Sequence, residues 1–239
     1  MNLGIDGQVA LVTGAAHGKA IALGLAGEGC KVAVLDTEGA SARTAALQIH
    51  ERSGRAYAVT ADVTDVTDGA SVASAVQNVI HELGGLHIVV YCAGFSMDAP
   101  VARMTDDQWS QVMDVTLTGA FQIIRAAAAH LKAQQYGRVI NITSRAHFGD
   151  VNKANYSAAK AVLIGLTKAL SLELGPQGVT VNAVAPGIID TERLRALPHF
   201  AGIEERSKAV IPIKRWGTVD EVASLVSYLA SAHTGFISG

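Results

Sequence analysis

Val9-Ala10-Leu11-Val12-Thr13-Gly14-Ala15-Ala16-His17-Gly18 is the stretch on which the fold turns. Val9 to Thr13 is a short apolar run without polar alternation, the pattern of a strand covered on both faces. Thr13-Gly14-Ala15-Ala16-His17-Gly18 then makes a glycine-rich turn, and a helix is expected from about Lys19 to Glu28. A strand, a tight glycine turn and a helix make the opening of a βαβ unit.

The same unit repeats outward. Lys31 to Leu35 reads as a strand ending in Asp36, followed by a helix over Gly39 to Ser53 and a strand over Arg55 to Thr60. A helix over Gly69 to Leu83 leads to the strand Ile88 to Tyr91, and helix covers about Thr105 to Gln135. Gly137 to Thr143 is the next strand. After a polar loop, a long helix from Asn155 to Leu174 stops at Gly175-Pro176, a helix-ending pair. The strand Thr180 to Val184 ends at Pro186-Gly187, an irregular segment runs from Ile188 to Arg215, and Val219 to Ala230 is the last helix. Alternation of this kind predicts an α/β fold, a doubly wound parallel sheet with helices on both faces. Residues 1–239 read as one dinucleotide-binding and catalytic domain, with a substrate lid over about 188–214.

Ligands of such sheets bind at the carboxyl ends of the strands. Gly14 and Gly18 let the backbone turn tightly and admit a phosphate to a helix N-terminus, where N–H groups and the helix dipole favour negative charge. Asp36 ends the second strand 22 residues after Gly14. A carboxylate there accepts hydrogen bonds from a ribose diol and repels a 2′-phosphate, which favours NAD over NADP. His17 and Lys19 pull the other way as cations near that ribose, so NADP is not excluded. Asp62 and Val63 follow the third strand and are candidates for contact with the adenine; the alternative for Asp62 is a loop or capping carboxylate.

Tyr156 and Lys160 are four residues apart at the start of the long helix, so they share one face. A phenol, with a reference pKa near 10, is a poor base at neutral pH, and a nearby ammonium favours the phenolate. Such a pair is a proton-transfer device for an alcohol or ketone. Taken alone it is ordinary on any helix. Ser144, at the end of the preceding strand, adds a hydroxyl that could hold the substrate oxygen opposite the tyrosine.

Composition limits the alternatives. The 239 residues are 49% hydrophobic and 17% charged, which argues for a packed globule over disorder. A formal charge of −2 without a run of Lys and Arg recommends no nucleic-acid partner. Cys30 and Cys92 read as free buried thiols. Met1 to Gly7 lacks the pattern of a signal peptide, and no apolar run approaches the ~20 residues of a membrane span, so a cytoplasmic protein without a membrane partner is expected. The eight histidines show no metal-ligand spacing, and no metal is expected. Trp109 and Trp216 read as core or interface aromatics. Arg145, His147 and Asn152, in the loop between Ser144 and Tyr156, could line the substrate pocket, with solvated loop residues the favoured reading.

Thr13-Gly14-x-x-x-Gly18, Ala93-Gly94, Ser144, Tyr156-x-x-x-Lys160 and Pro186-Gly187-x-x-x-Thr191 occur in this order along essentially the whole chain. In this it resembles the short-chain dehydrogenase/reductase family, and within it members similar to 3-oxoacyl-carrier-protein reductases. The resemblance implies a Rossmann-type sheet of about seven parallel strands. It implies hydride exchange between a nicotinamide and a secondary alcohol or its ketone, a small-molecule substrate. Tyr156 would be the acid/base, Lys160 would also hold the nicotinamide ribose, and Ser144 would orient the substrate. Cys92, Ala93, Gly94, Pro186 and Gly187 would line the dinucleotide, with Ile189 and Thr191 holding its carboxamide. A homotetramer or homodimer is implied too.

Three positions depart from the family pattern. Ala20 stands where a third glycine is usual, beside Lys19. Cys92 replaces an asparagine whose amide ties strand to loop, and a thiol makes only weak hydrogen bonds. Thr116 stands where many relatives carry the asparagine that helps hold a water linking the lysine to solvent; it joins the catalytic candidates in that place. The chain also stops at Phe236-Ile237-Ser238-Gly239, where relatives continue through another short strand. These departures keep a second class open, a nucleotide-binding protein with weak or no catalysis and a regulatory or assembly role.

Overall fold

The computed structural model describes residues 2–63, 69–196 and 200–239. Six parallel strands form one sheet: β1 (Val9–Thr13), β2 (Lys31–Asp36), β3 (Arg55–Thr60), β4 (Ile88–Tyr91), β5 (Gly137–Ile142) and β6 (Val179–Val184). Their order is β3-β2-β1-β4-β5-β6, so the winding reverses between β1 and β4. The helices are α1 (Ala15–Gly27), α2 (Gly39–Glu51), α3 (Gly69–Leu83), α4 (Asp106–Met113), α5 (Gly119–Ala133), α6 (Ala154–Leu174), α7 (Glu192–Arg195), α8 (Phe200–Val210) and α9 (Val219–Ala230).

Strand residues feed two cores in alternation, as the pleat requires. Leu11, Leu35, Val89 and Val139 face the core built with α3, α5 and α6. Val12, Val34, Val90 and Ile140 face the one built with α1, α2 and α9. Because both faces are covered, the strands carry apolar residues at consecutive positions.

The sheet has six strands where about seven were expected. At the outer edge of β6, the Gly239 N–H donates to the Val181 carbonyl at 2.9 Å, and the Val181 N–H donates to Ser238 Oγ at 3.1 Å. These contacts start a pairing beside β6 without making a ladder. The first helix begins at Ala15, not Lys19, directly after the turn. The helix expected over Thr105 to Gln135 is interrupted by a π-helical turn at Asp114–Thr118. There the buried Tyr91 hydroxyl donates to the Val115 carbonyl, giving that carbonyl a partner outside the helix ladder. Gly119 fits beneath this contact, since a Cβ on it would lie 2.3 Å from the tyrosine oxygen. By length and composition the stretch 106–133 could cross a bilayer; 44% of its apolar window is buried within the fold. The segment after β6 contains α7 and α8; residues 197–199 of the expected lid lie outside the described residues.

Candidate active site

Reversal of the winding opens a crevice past the ends of β1 and β4. Gly14 sits there with φ of 76°, and a Cβ on it would lie 2.9 Å from the Ala93 Cα. A side chain on Gly18 would meet Val12 at 2.8 Å, so the second glycine serves close helix–strand packing. Gly14 precedes α1 without a side-chain cap of its own. The cap comes from Asp36: one carboxylate oxygen accepts from the Ala15 N–H at 2.7 Å, the other from the Glu38 N–H at 2.9 Å. The second oxygen also accepts from the Thr37 hydroxyl at 3.5 Å; the carboxylate predicted to meet the ribose is thus held against the glycine turn, and the oxygen bonded to Ala15 retains capacity for a further hydrogen bond.

The Thr13 hydroxyl accepts from the backbone N–H groups of Cys92 at 3.1 Å and Ala93 at 3.3 Å. It ties the ends of β1 and β4, the task assigned in the family pattern to the missing asparagine amide. Cys92 is buried, and burial pushes its thiol up to about 11 despite the nearby Lys160 ammonium. Its low thiolate population makes it a poor nucleophile.

A cleft of about 740 Å³ runs past this crevice. Of the residues singled out in the sequence, His17, Cys92, Gly94, Ser144, Tyr156, Lys160, Pro186, Gly187, Ile189 and Thr191 line it. Lys19 is exposed outside its wall, as is Asp62, and the Val63 side chain is buried in the core. Arg145 lines the cleft together with Asp98, Asp150 and Lys153, the alternative open for it in the sequence, while its side chain stays half exposed. The cause is a contact distant in sequence, the Arg145 N–H donating to the Pro186 carbonyl at 2.9 Å. His147 stays outside the lining, with its ring against Phe148.

The start of α6 is pinned by Asn155, whose amide donates to the carbonyls of Met97 at 3.1 Å and Gln108 at 2.9 Å. This fixes the turn that carries Tyr156. One turn further on, Lys160 is 3% exposed, and its ammonium donates to the Ile142 carbonyl at 2.7 Å. Burial brings its amine down to about 8, opposed by Cys92. The ammonium lies 5.6 Å from the centroid of the Tyr156 ring. Gly94 leaves the space above it open: a Cβ there would lie 3.2 Å from Lys160 Nζ and 3.3 Å from Thr116 Oγ1. Thr116 is buried in the π-helical turn, and its hydroxyl oxygen has no hydrogen-bond partner among the described residues. Ser144 Oγ accepts from the Ala146 N–H at 3.1 Å, which leaves its own O–H to donate. Thr191 caps α7, accepting from the Leu194 N–H at 3.3 Å.

A family model described as enoyl-(acyl carrier protein) reductase matches residues 14–239. The chain is 36% identical to the 3-oxoacyl-[acyl-carrier-protein] reductase FabG of Aquifex aeolicus, covering all of this chain (100%) and 96% of the relative. It is 40% identical to the 3-oxoacyl-[acyl-carrier-protein] reductase MabA of Mycobacterium avium, over 96% of this chain and 85% of that one. A solved xylitol dehydrogenase with NAD+ bound superposes with a TM-score of 0.91 at 28% identity, over 98% of this chain and 96% of that chain.

Proposed function

The chain belongs to the short-chain dehydrogenase/reductase family, and from that premise we propose that its cleft exchanges a hydride between a nicotinamide dinucleotide and a secondary alcohol or its ketone, with Tyr156 as acid/base. It is an NAD(P)-dependent oxidoreductase of a small-molecule substrate. The observation that carries the assignment of roles is the buried Lys160 ammonium beneath Tyr156, in a cleft that also holds Ser144.

The residues present fit a dinucleotide. Gly14 lets the turn before α1 pack against the Ala93 backbone at the crevice, and Gly94 keeps the cleft open above Lys160. The N-terminus of α1 and Asp36 would take the adenosine and diphosphate end. Gly94, Tyr156 and Lys160 would hold the nicotinamide ribose, and Pro186, Gly187, Ile189 and Thr191 the carboxamide. When bound, the nicotinamide supplies or accepts the hydride.

The chain's own residues manage the proton. In reduction, Tyr156 donates its phenolic proton to the carbonyl oxygen as that oxygen gains charge; in oxidation it takes the proton back. The Ser144 O–H donates to the same oxygen and orients it. Lys160 stabilises the phenolate. Thr116, sharing the space at Gly94 with Lys160, helps return the proton from solvent.

Asp36 supports a preference for NAD, because its carboxylate stands where a 2′-phosphate would be repelled. The NAD+ in the xylitol dehydrogenase relative agrees with that preference. A homotetramer or homodimer in the cytoplasm completes the reading. Phe121 on α5, with Val162 and Leu172 on α6, is exposed in the single chain and offers an apolar face to a second copy. Turnover of NADH and NADPH against a panel of ketones, and of NAD and NADP against alcohols, tests the function.

A further inference from the structure

A second cavity, of about 230 Å³, lies beside the catalytic cleft. Arg145, Gly187, Ile188 and Ile189 line both spaces. The charged groups around them are unequally committed. Arg215 donates to both carboxylate oxygens of Glu221, at 2.9 and 2.5 Å. Lys153 donates to Asp150 at 3.2 Å and faces Asp98 at 4.0 Å. Asp150 also accepts from the Val151 N–H at 3.1 Å. The Arg145 guanidinium makes no hydrogen bond among the described residues, and its ion-pair partner, Asp150, stands 3.8 Å away. Its side chain is 52% exposed, while its backbone is fixed to Pro186 directly after Ser144.

A guanidinium carries five N–H donors in a planar fork that matches a carboxylate. Here the fork has only the 3.8 Å ion pair with Asp150 and no hydrogen bond among the described residues, lines the cleft, and follows the residue assigned to hold the substrate oxygen. The cofactor's 2′-position does not account for it. Asp36 ends β2 and Ser144 follows β5, and the order β2-β1-β4-β5 puts three strand spacings, about 14 Å, between them. We propose that Arg145 binds a carboxylate carried by the substrate, so that the favoured substrates are oxo acids and the corresponding hydroxy acids. This rests on the reading of the cleft as a ketone reductase and narrows it.

The test compares 2-, 3- and 4-oxo acids with their methyl esters, in the wild type and in Arg145→Gln and Arg145→Lys. The wild type is expected to turn over at least one acid with a kcat/KM at least about tenfold above its ester. Arg145→Gln is expected to lower that value roughly 10- to 100-fold, mainly through KM, as for a lost charge-assisted pair. The ester should change less than about twofold, and Arg145→Lys should recover part of the loss. An equal loss on acid and ester, a wild-type preference for the esters, or a rise in KM for the dinucleotide would overturn the proposal. Turnover of neutral ketones with none of the acids would overturn it while leaving the ketone-reductase reading intact. Absence of turnover with every ketone would overturn that reading itself. Unchanged dinucleotide affinity and circular dichroism certify the variants as folded.

Discussion

The Lys160 ammonium donates a 2.7 Å hydrogen bond to the carbonyl of Ile142, the last residue of β5. A charge is thereby held in the interior on a backbone dipole with no carboxylate paired to it among the described residues, and its amine falls to about 8 from an ordinary 10.5. Between these values the unfolded chain keeps a proton that the folded chain has released. Stability therefore rises with pH across that window, by roughly 3 kcal/mol at full extent. Cys92 acts in the opposite sense: its thiol is raised from 9.0 to about 11, so its contribution is lost as pH climbs between them. Urea midpoints at pH 7.5 and 9.5, compared between Cys92→Ala and Cys92→Ala/Lys160→Met, isolate the lysine from the thiol that shifts with it. The midpoint of the chain that keeps Lys160 should gain on that of the double variant as pH rises. Parallel pH dependence would show that Lys160 is not the group responsible.

Thr116→Val separates a chemical role from a structural one. The threonine oxygen is buried without a hydrogen-bond partner among the described residues, so removing it while keeping the shape should leave stability unchanged within about 1 kcal/mol or raise it slightly. If the hydroxyl serves the proton path from Lys160, kcat falls several-fold with KM and dinucleotide affinity unchanged. A fall in melting temperature that tracks the loss of activity would assign Thr116 to packing alone.

Asp36→Asn tests the cofactor preference. The amide removes the negative charge but keeps one acceptor for the Ala15 or Glu38 N–H. The ratio of NADP to NAD affinity should rise about tenfold or more, as for loss of a charged contact together with a repulsion. Calorimetric titration of both dinucleotides reads it. A ratio that stays constant, or tighter NADP binding by the wild type, would contradict the preference.

The local parts of this fold were legible because local physics writes them. Gly14 and Gly18 are fixed by their own backbone geometry, and the four-residue spacing of Tyr156 and Lys160 sets one helical face. What escaped the sequence depends on partners far along the chain. The Thr13 hydroxyl meets the Cys92 and Ala93 amides across 79 and 80 residues, so the replacement for a missing asparagine could not be seen at position 92. Arg145 is drawn to the cleft by Pro186, 41 residues on. The π-helical turn around Thr116 leaves the apolar periodicity of its neighbours nearly intact, and its cause is a buried phenol on β4. Of the helices after β6, α7 spans only four residues and α8 carries Glu204, Glu205, Arg206 and Lys208 within one turn and a half, and that stretch read as irregular, whereas the amphipathic α9 was legible.

The most direct measurement of the central claim is Tyr156→Phe, assayed for turnover and for dinucleotide binding in the same preparation. The substitution removes one hydroxyl from the cleft wall and leaves the Lys160–Ile142 bond and the glycine turn in place. A loss of kcat of about 10²–10⁴-fold is expected on any ketone or alcohol that the wild type turns over, while the dinucleotide dissociation constant rises by no more than about tenfold, the worth of the one ribose hydrogen bond that the hydroxyl would make. A variant retaining turnover within a factor of about two of wild type, or a wild type that binds the dinucleotide tightly and turns over no carbonyl or alcohol, would contradict it.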